Sequence, residues 1–354
     1  MFDDLSTTVE VDCPAASGRI QLRGAGGPLS WSRSIPPTRT SAGLHVFTFA
    51  LKPGELEELK PIRDERAWAA ERNQTVLAGD TLRIAQYFDR ASGELEPGIF
   101  TRHSALLGRD LSYRVWLPPS YRERRERRYP VLYVLDGQAA FSETVGVPAS
   151  QSWHLDETLD QLIDLGAISE MIVVGLHTDA DRIALLSPSR DARFGGGDGA
   201  QMLAFLIDEL KPALDARLRT RPEREHTAMM GSSMGGLFSF YTAWNRPDVF
   251  GKVACLSSSF WWDDRSMVRE ARGRCPFPRP LIYIDSGAAI NPFENDAYLR
   301  DGYHHTVALR DALVNHCYIA GDNLHILAFP GAAHDGPSWA ARLAIPLQLL
   351  FPRT

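Results

Sequence analysis

The clearest candidate for chemistry is Ser233, which lies in the sequence Gly231-Ser-Ser-Met-Gly235. An apolar run precedes this G-x-S-x-G pattern and an apolar helical pattern follows it, which is the strand–turn–helix setting of a nucleophilic serine. The turn is too sharp for ordinary side chains, and the two glycines relieve the crowding. The alternative is a Gly/Ser-rich turn without chemistry. The flanking strand and helix favour Ser233 as a nucleophile exposed at the tip of the turn.

A serine hydroxyl needs a base within hydrogen-bond reach, and the base needs a partner that fixes its tautomer. In hydrolases with this turn the chain order is Ser, then Asp or Glu, then His. His334 lies in the small-residue loop 330–337, after a predicted strand at 324–329. Because α/β sheets carry their sites on such loops, we predict that His334 is the base rather than a polar loop residue. The other histidines after Ser233 fall in predicted helix or strand segments: His304, His305, His316 and His325.

The acid that orients His334 is expected on the loop after the predicted strand at 281–284. Asp301 is closest to the following helix and is the first choice, with Asp296 and then Glu294 as alternatives. Asp285 still lies within the strand, where we expect a packing or hydrogen-bonding role. A Ser–His dyad without an acid also stays open.

A tetrahedral intermediate needs two backbone N–H donors. One is expected from Met234, the residue after the nucleophile, and the other from a loop after an earlier strand. Asp136, Gly137 and Gln138 directly follow the predicted strand at 131–135, which makes the Gln138 N–H the second candidate. The alternative is an ordinary Asp-Gly turn.

Length and composition bound the class of protein. A chain of 354 residues exceeds the usual size of one core, so two domains are expected. The net charge of −6 gives no basic footprint for nucleic acid. No signal peptide and no apolar run long enough to cross a membrane is visible, and no metal motif or cofactor is expected. Four scattered cysteines indicate neither a zinc site nor a disulfide framework and favour a reduced, cytoplasmic setting: Cys13, Cys255, Cys275 and Cys317.

Two patterns divide the chain. Residues 1–88 contain short apolar or alternating runs between Gly- and Pro-rich turns, which predicts a small all-β module. Residues 89–107 are interpreted as a linker, and strand–helix alternation over 108–354 predicts a mostly parallel sheet covered by helices.

Several segments within residues 105–354 together resemble the putative-esterase (esterase D-like) family of α/β-hydrolases. They include Leu135-Asp-Gly-Gln138, Gly231-Ser-Ser-Met-Gly-Gly236, Ser257-Ser-Ser-Phe-Trp-Trp262 and Gly331-Ala-Ala-His334. That family includes enterochelin esterases, feruloyl esterases and mycolyltransferases. The resemblance implies an α/β-hydrolase fold with Ser233 and His334 as catalytic residues. Many relatives carry the acid shortly after the glycine corresponding to Gly287, where this chain has Ala288-Ala-Ile290.

The first domain more weakly resembles starch-binding-like or E-set β-sandwich modules. The segment Leu29-Ser-Trp31 and the residues Leu59, Lys60, Trp68 and Asn73 carry this resemblance. It implies sugar binding or, as in the β module of enterochelin esterases, a role in shaping the substrate site. The alternative is that these residues pack the β core.

These observations predict a serine esterase that forms an acyl-enzyme on Ser233. The expected substrate is a small-molecule ester, such as a siderophore (enterochelin-like) or a feruloyl or sugar ester. Trp153, Trp261 and Trp262 are candidates for an aromatic pocket, or for core packing. The alternatives are an acyltransferase to a sugar or lipid, and a carbohydrate-binding protein with a degenerate hydrolase domain.

Overall fold

The structure is a computed structural model that describes residues 3–13, 18–178, 181–288 and 301–353. The chain divides into two compact units. The first comprises the described residues up to Gly93 together with Pro118–Arg127 and Asp160–Ala167. The second comprises Glu94–Leu117, Arg128–Leu159 and the described residues from Ile168 onward.

The first unit is built from short strands. They are β1 (Leu5–Asp12), β2 (Ile20–Gly24), β3 (Arg39–Ser41), β4 (Leu44–Leu51), β5 (Leu56–Arg63), β6 (Ala67–Trp68), β7 (Gln74–Leu77) and β8 (Thr81–Ala85). Among the described residues, one sheet has the order β3-β4-β1-β8, and the other has the order β2-β5-β6 with β7 also paired to β5. Both sheets contribute side chains to one apolar core, and the predicted all-β module is confirmed.

The second unit alternates strands and helices. Its strands are β9 (Glu94–Leu95), β10 (Phe100–Ser104), β11 (Arg109–Leu117), β12 (Val131–Leu135), β13 (Ile172–Leu176), β14 (Thr227–Ser232), β15 (Lys252–Leu256), β16 (Leu281–Ala288) and β17 (Leu324–Pro330). The helices are α1 (Gly137–Ala140), α2 (Leu155–Asp164, which continues into the first unit), α3 (Arg182–Leu186), α4 (Gly199–Ala204), α5 (Lys211–Arg217), α6 (Met234–Asn245), α7 (Trp262–Gly273), α8 (Tyr303–Val314), α9 (Gly336–Ala340) and α10 (Ala344–Leu350). A π-helical segment, Phe205–Leu210, joins α4 to α5.

One sheet organises these elements. In the described part of the chain its order is β10-β11-β13-β12-β14-β15-β16-β17, and β9 pairs with β11. The strands from β13 to β17 are parallel to their neighbours in this order, whereas β11 is antiparallel to β13. Every residue of β12, β13 and β14 is buried, as expected for parallel strands covered by helices on both faces. The predicted mostly parallel α/β architecture is confirmed, and it brings the carboxyl ends of β14 to β17 to one edge.

The segment interpreted as a linker, residues 89–107, contains two short strands. β9 and β10 both pair with β11 in the large sheet. β9 has two residues and most of β10 is exposed, so neither leaves the apolar pattern from which a strand is recognised in a sequence.

A disulfide joins Cys275 and Cys317, which corrects the expectation that the cysteines form no disulfide. The two residues are 42 apart in sequence and follow α7 and α8, so only the packing of these helices brings them together. Spacing rules cannot detect such a pair. Cys13 and Cys255 are buried free thiols. The cytoplasmic setting stays a prediction, and the disulfide weakens the cysteine argument for it.

Candidate active site

Ser233 stands at a sharp turn between β14 and α6. Its backbone has φ 58° and ψ −120°, a conformation that costs a non-glycine residue about 1–3 kcal/mol and concentrates at functional sites. A Cβ at Gly231 would lie 2.6 Å from the carbonyl carbon of Gly235, so both backbone segments approach too closely for a side chain. The strand–turn–helix context predicted from the sequence is therefore present.

The loop after β15 holds Ser233 from one side. The Ser233 N–H donates to the Leu256 carbonyl at 2.9 Å, and the Ser259 N–H donates to the Ser233 carbonyl at 3.0 Å. Ser259 Oγ lies 3.4 Å from Ser233 Oγ. Ser233 is thus fixed against the loop that joins β15 to α7.

His334 follows β17, on the loop that leads to α9. Its ring meets the Trp339 indole edge to face at a centroid distance of 5.2 Å, and its side chain is 34% exposed. The Nδ1 atom is hydrogen-bonded to Asp301 Oδ1. An ionised carboxylate can only accept, so Nδ1 carries the proton and Nε2 keeps its lone pair for a proton from a nucleophile.

The carboxylate of Asp301 is fully buried and held from its other side. Its Oδ2 atom accepts from the Gly287 N–H at 2.6 Å and from Ser257 Oγ. The structure therefore brings His334 together with Asp301, the first-choice acid. The alternatives Asp296 and Glu294 lie outside the described residues.

The loop Ser257–Ser259 joins the two halves of the site. Ser257 contacts Asp301, and Ser259 contacts Ser233, so Ser233 and the His334–Asp301 pair both adjoin one short segment. Among the described residues, the partner of Ser233 Oγ is Ser259 rather than His334. Catalytic hydrogen bonds are often formed only when substrate is bound, so this geometry is compatible with proton transfer.

The two predicted oxyanion donors lie at helix starts. Met234 is the first residue of α6 and Gln138 the second residue of α1, positions whose N–H groups have no intrahelical acceptor. A Cβ at Gly137 would lie 2.2 Å from the Gly175 carbonyl carbon, which explains glycine in this tight strand–helix connection. The Gln138 side chain accepts weakly from the Thr178 N–H at 3.4 Å.

Arg182 is a residue that the sequence did not reveal. Its Nε and Nη2 atoms form a bidentate pair with Asp136, each at 2.7 Å, and Nη2 also donates to the Ser232 carbonyl at 3.2 Å. Burial acts to lower the pKa of Arg182, but the ion pair with Asp136 outweighs it and the pKa is raised. Arg182 therefore ties Asp136, after β12, to the backbone of the turn that carries Ser233. Asp136 lies in the segment Leu135-Asp-Gly-Gln138, which the sequence analysis singled out. Its partner Arg182 is 46 residues away, and no sequence pattern indicated that pairing.

The three candidate pocket tryptophans differ in exposure. Trp153 and Trp262 are buried, and Trp262 Nε1 donates to the Ser189 carbonyl at 2.8 Å, so these two are core residues. Trp261 is 37% exposed, and its ring lies 5.5 Å from that of the half-exposed Phe194. Trp261 therefore remains the candidate for an aromatic contact with substrate.

Two tryptophans of the first unit form a small, partly exposed cluster. Trp31 and Trp68 meet edge to face at 6.0 Å, and the Arg23 guanidinium lies 5.4 Å from the Trp68 ring. Leu29 and Leu59 are buried, so they serve the β core. Sugar binding by this unit stays a prediction.

Within the described residues, no group of three or more His, Cys, Asp or Glu side chains could hold a metal ion. In the same part of the chain, no helix has the length and apolar character needed to cross a membrane.

Comparison with known families decides the relationship. The model of the family described as "Putative esterase" matches residues 104–346, which is more than half of the chain. The chain belongs to the putative esterase family. The resemblance stated from its motifs is thereby confirmed.

Two curated proteins that are similar to this chain are named as esterases. It is 34% identical over 86 residues to the siderophore enterobactin esterase of Emericella nidulans, covering 24% of this chain and 27% of that one. It is 28% identical over 244 residues to the endo-1,4-beta-xylanase/feruloyl esterase of Xylanibacter ruminicola, covering 67% of this chain and 29% of that one. The chain thus spans less than a third of the length of either protein.

A solved structure extends the likeness to nearly the whole chain. The enterobactin esterase FES from Shigella flexneri, determined in the presence of enterobactin, aligns with a TM-score of 0.56 at 14% identity. The alignment covers 99% of this esterase-family chain and 94% of FES. At this identity the likeness shows the fold alone, and the α/β-hydrolase fold is confirmed.

Proposed function

We propose that this chain is a serine esterase that hydrolyses a carboxylic ester through an acyl-enzyme on Ser233. The observation that carries the proposal is the His334–Asp301 hydrogen bond on the loops beside a strained, glycine-flanked Ser233. A nucleophile, a base and an orienting acid are the three parts that acyl transfer requires.

The reaction follows from these positions. Ser233 Oγ attacks the ester carbonyl while its proton passes to His334 Nε2. The resulting oxyanion is held by the N–H groups of Gln138 and Met234. His334 then protonates the departing alcohol, leaving the acyl group on Ser233. Water, deprotonated by His334, attacks the acyl-enzyme, and the carboxylic acid leaves as Ser233 regains its proton.

For the substrate we propose an ester of the siderophore or feruloyl type. The names of the curated relatives support this class. The exposed Trp261 supports it physically, because it lies two residues after Ser259 and pairs with Phe194 to offer a flat aromatic contact.

The test replaces Ser233 by alanine and measures p-nitrophenyl ester hydrolysis. We expect kcat to fall on the order of 10⁶-fold. Ser232→Ala is the matched control, because Ser232 Oγ is buried without a hydrogen-bond partner among the described residues. Turnover retained by Ser233→Ala would refute the proposal. A panel of enterobactin, feruloyl-sugar and simple acyl esters then identifies the substrate class.

A further inference from the structure

A second buried carboxylate lies behind the His334–Asp301 pair. Asp285, in β16, is fully buried, as is the Asp301 side chain. Ser257 touches both: its Oγ donates to Asp301 Oδ2, and its N–H donates to Asp285 Oδ1 at 3.1 Å. Like charges this close disfavour ionisation of both groups unless a positive charge compensates them.

Arg342 supplies that charge. Its side chain is 2% exposed, and Nη2 lies 3.1 Å from Asp285 Oδ1. The same Nη2 donates to Ser257 Oγ, and the guanidinium lies 5.1 Å from the Phe329 ring of β17. Arg342, which lies between α9 and α10, therefore contacts Ser257 after β15, Asp285 in β16 and Phe329 in β17.

The donor pattern fixes the direction of the Ser257 hydroxyl. Arginine can only donate, so Ser257 Oγ accepts from Arg342 and must direct its single proton to Asp301. Ser257 also has a left-handed backbone, with φ 43°. This conformation is costly for a residue other than glycine, so the surrounding contacts must maintain it. The Ser257 hydroxyl therefore links Arg342 to Asp301, because it accepts from one and donates to the other.

We propose that Arg342 is a positioning residue for the esterase reaction, acting through Ser257 and Asp285 to hold the Asp301 carboxylate directed at His334. This inference rests on the proposed function. At rest the cluster holds two carboxylates and one guanidinium, and protonation of His334 during turnover brings its net charge to zero. Without Arg342 the buried Asp285 would retain its proton to higher pH, because the Arg342 charge acts to lower the pKa of Asp285.

Other titrating groups around the cluster do not replace this charge. Burial raises the pKa of Tyr283 and of Cys255, so both are neutral, and the Tyr283 hydroxyl donates to Asp285 Oδ2 at 2.8 Å. Burial raises the pKa of Asp285 to about 6, against the opposing effect of Arg342. The titratable groups of this cluster come from each neighbouring element: Cys255 of β15 and Tyr283 of β16 interact with Asp285, and His334 after β17 pairs with Asp301.

The test compares Arg342→Gln with Arg342→Lys across pH. The acid limb of kcat/KM reports ionisations of the free enzyme. For Arg342→Gln we expect this limb to move to higher pH by about one unit or more, since a unit charge acts here across a single hydroxyl. KM should change little, activity should recover as pH rises, and Arg342→Lys should return the limb towards that of the wild type.

Ser257→Gly provides a second, fold-compatible variant. Glycine accepts the left-handed backbone and leaves the charge of Arg342, but it removes the bridging hydroxyl. We expect kcat to fall about tenfold at unchanged KM, the cost of one lost hydrogen bond to a charged group. The inference is overturned if the acid limb of kcat/KM is the same in Arg342→Gln and in the wild type. It is also overturned if Arg342→Gln loses activity equally at every pH. If Arg342→Gln does not fold, wild-type kcat in Ser257→Gly overturns it.

A measurement without turnover separates this inference from the proposed function. The downfield proton NMR signal of the His334 Nδ1–H is assigned by its loss in His334→Gln. When the pH is lowered, the signal should weaken at a higher pH in Arg342→Gln than in the wild type or in Arg342→Lys. If hydrolysis persists in Ser233→Ala, the proposed function fails, but the NMR signal still tests the role of Arg342. The inference is overturned if the signal has the same pH dependence in Arg342→Gln and in the wild type.

Discussion

Replacing Asp301 by asparagine tests the acid–base pair most directly, because the surrounding donors dictate how the new amide must lie. Asp301 Oδ2 receives two donors, the Gly287 N–H and the Ser257 hydroxyl. The amide oxygen of the variant must occupy that position, which places its NH₂ group against His334 Nδ1. Nδ1 then has to accept, and the proton moves to Nε2.

A histidine in that tautomer cannot take a proton from Ser233. In other triads this change lowers kcat about 10⁴-fold, which corresponds to about 5 kcal/mol in the activation free energy. We expect a loss of that size here with KM nearly unchanged, because Asp301 is buried behind His334 and does not reach substrate. Steady-state hydrolysis of a p-nitrophenyl ester near neutral pH, together with a thermal melt, makes the measurement.

Asp335 offers a matched control, since its carboxylate caps α9 by accepting from the Ser338 N–H at 2.9 Å. Asparagine is an equally good N-cap, so Asp335→Asn should retain activity within a small factor. A loss of less than about tenfold in Asp301→Asn would refute the reasoning and favour a Ser–His dyad.

Two further predictions concern groups outside the triad. Reduction of the Cys275–Cys317 disulfide, or Cys275→Ser, should lower the free energy of unfolding by about 4 kcal/mol, because the bond closes a loop of 42 residues. Denaturant midpoints with and without reductant check this, and coincident curves would contradict it. Arg182→Met should lower kcat about tenfold with a small change in KM, since it removes the charged hydrogen bonds that join Asp136 to the Ser232 carbonyl in the turn before Ser233. An unchanged kcat would remove Arg182 from the mechanism.

The local parts of the site were predictable from the sequence. The glycines around Ser233 are required by a turn of a few residues, and His334 is recognisable because its loop follows a strand and precedes a helix. Long-range partners left no such signal. Arg182 lies 46 residues from Asp136, and Arg342 lies 85 residues from Ser257, so only the folded sheet brings each pair together.

The same limit applies to the strands and the cysteines. β9 and β10 are held by pairing with β11 rather than by an apolar pattern of their own. The disulfide depends on the packing of α7 and α8, which sequence spacing does not encode. Elements that bury a continuous apolar run were recognised, whereas contacts fixed by tertiary packing were not.

The carboxylates near His334 show what position in the sequence left open, because it ranked Asp301 first without excluding Asp296, Glu294 or a Ser–His dyad. Asp285 lies within β16 and is buried like Asp301, but its oxygens already accept from the Tyr283 hydroxyl, the Ser257 N–H and Arg342. Asp301 has both donors on Oδ2, so Oδ1 is left for His334. A carboxylate serves as the orienting acid when one oxygen is committed to fixed donors and the other is free to accept from histidine. That property belongs to the hydrogen-bond partners rather than to the residue, and it exists only after β15, β16 and β17 have assembled.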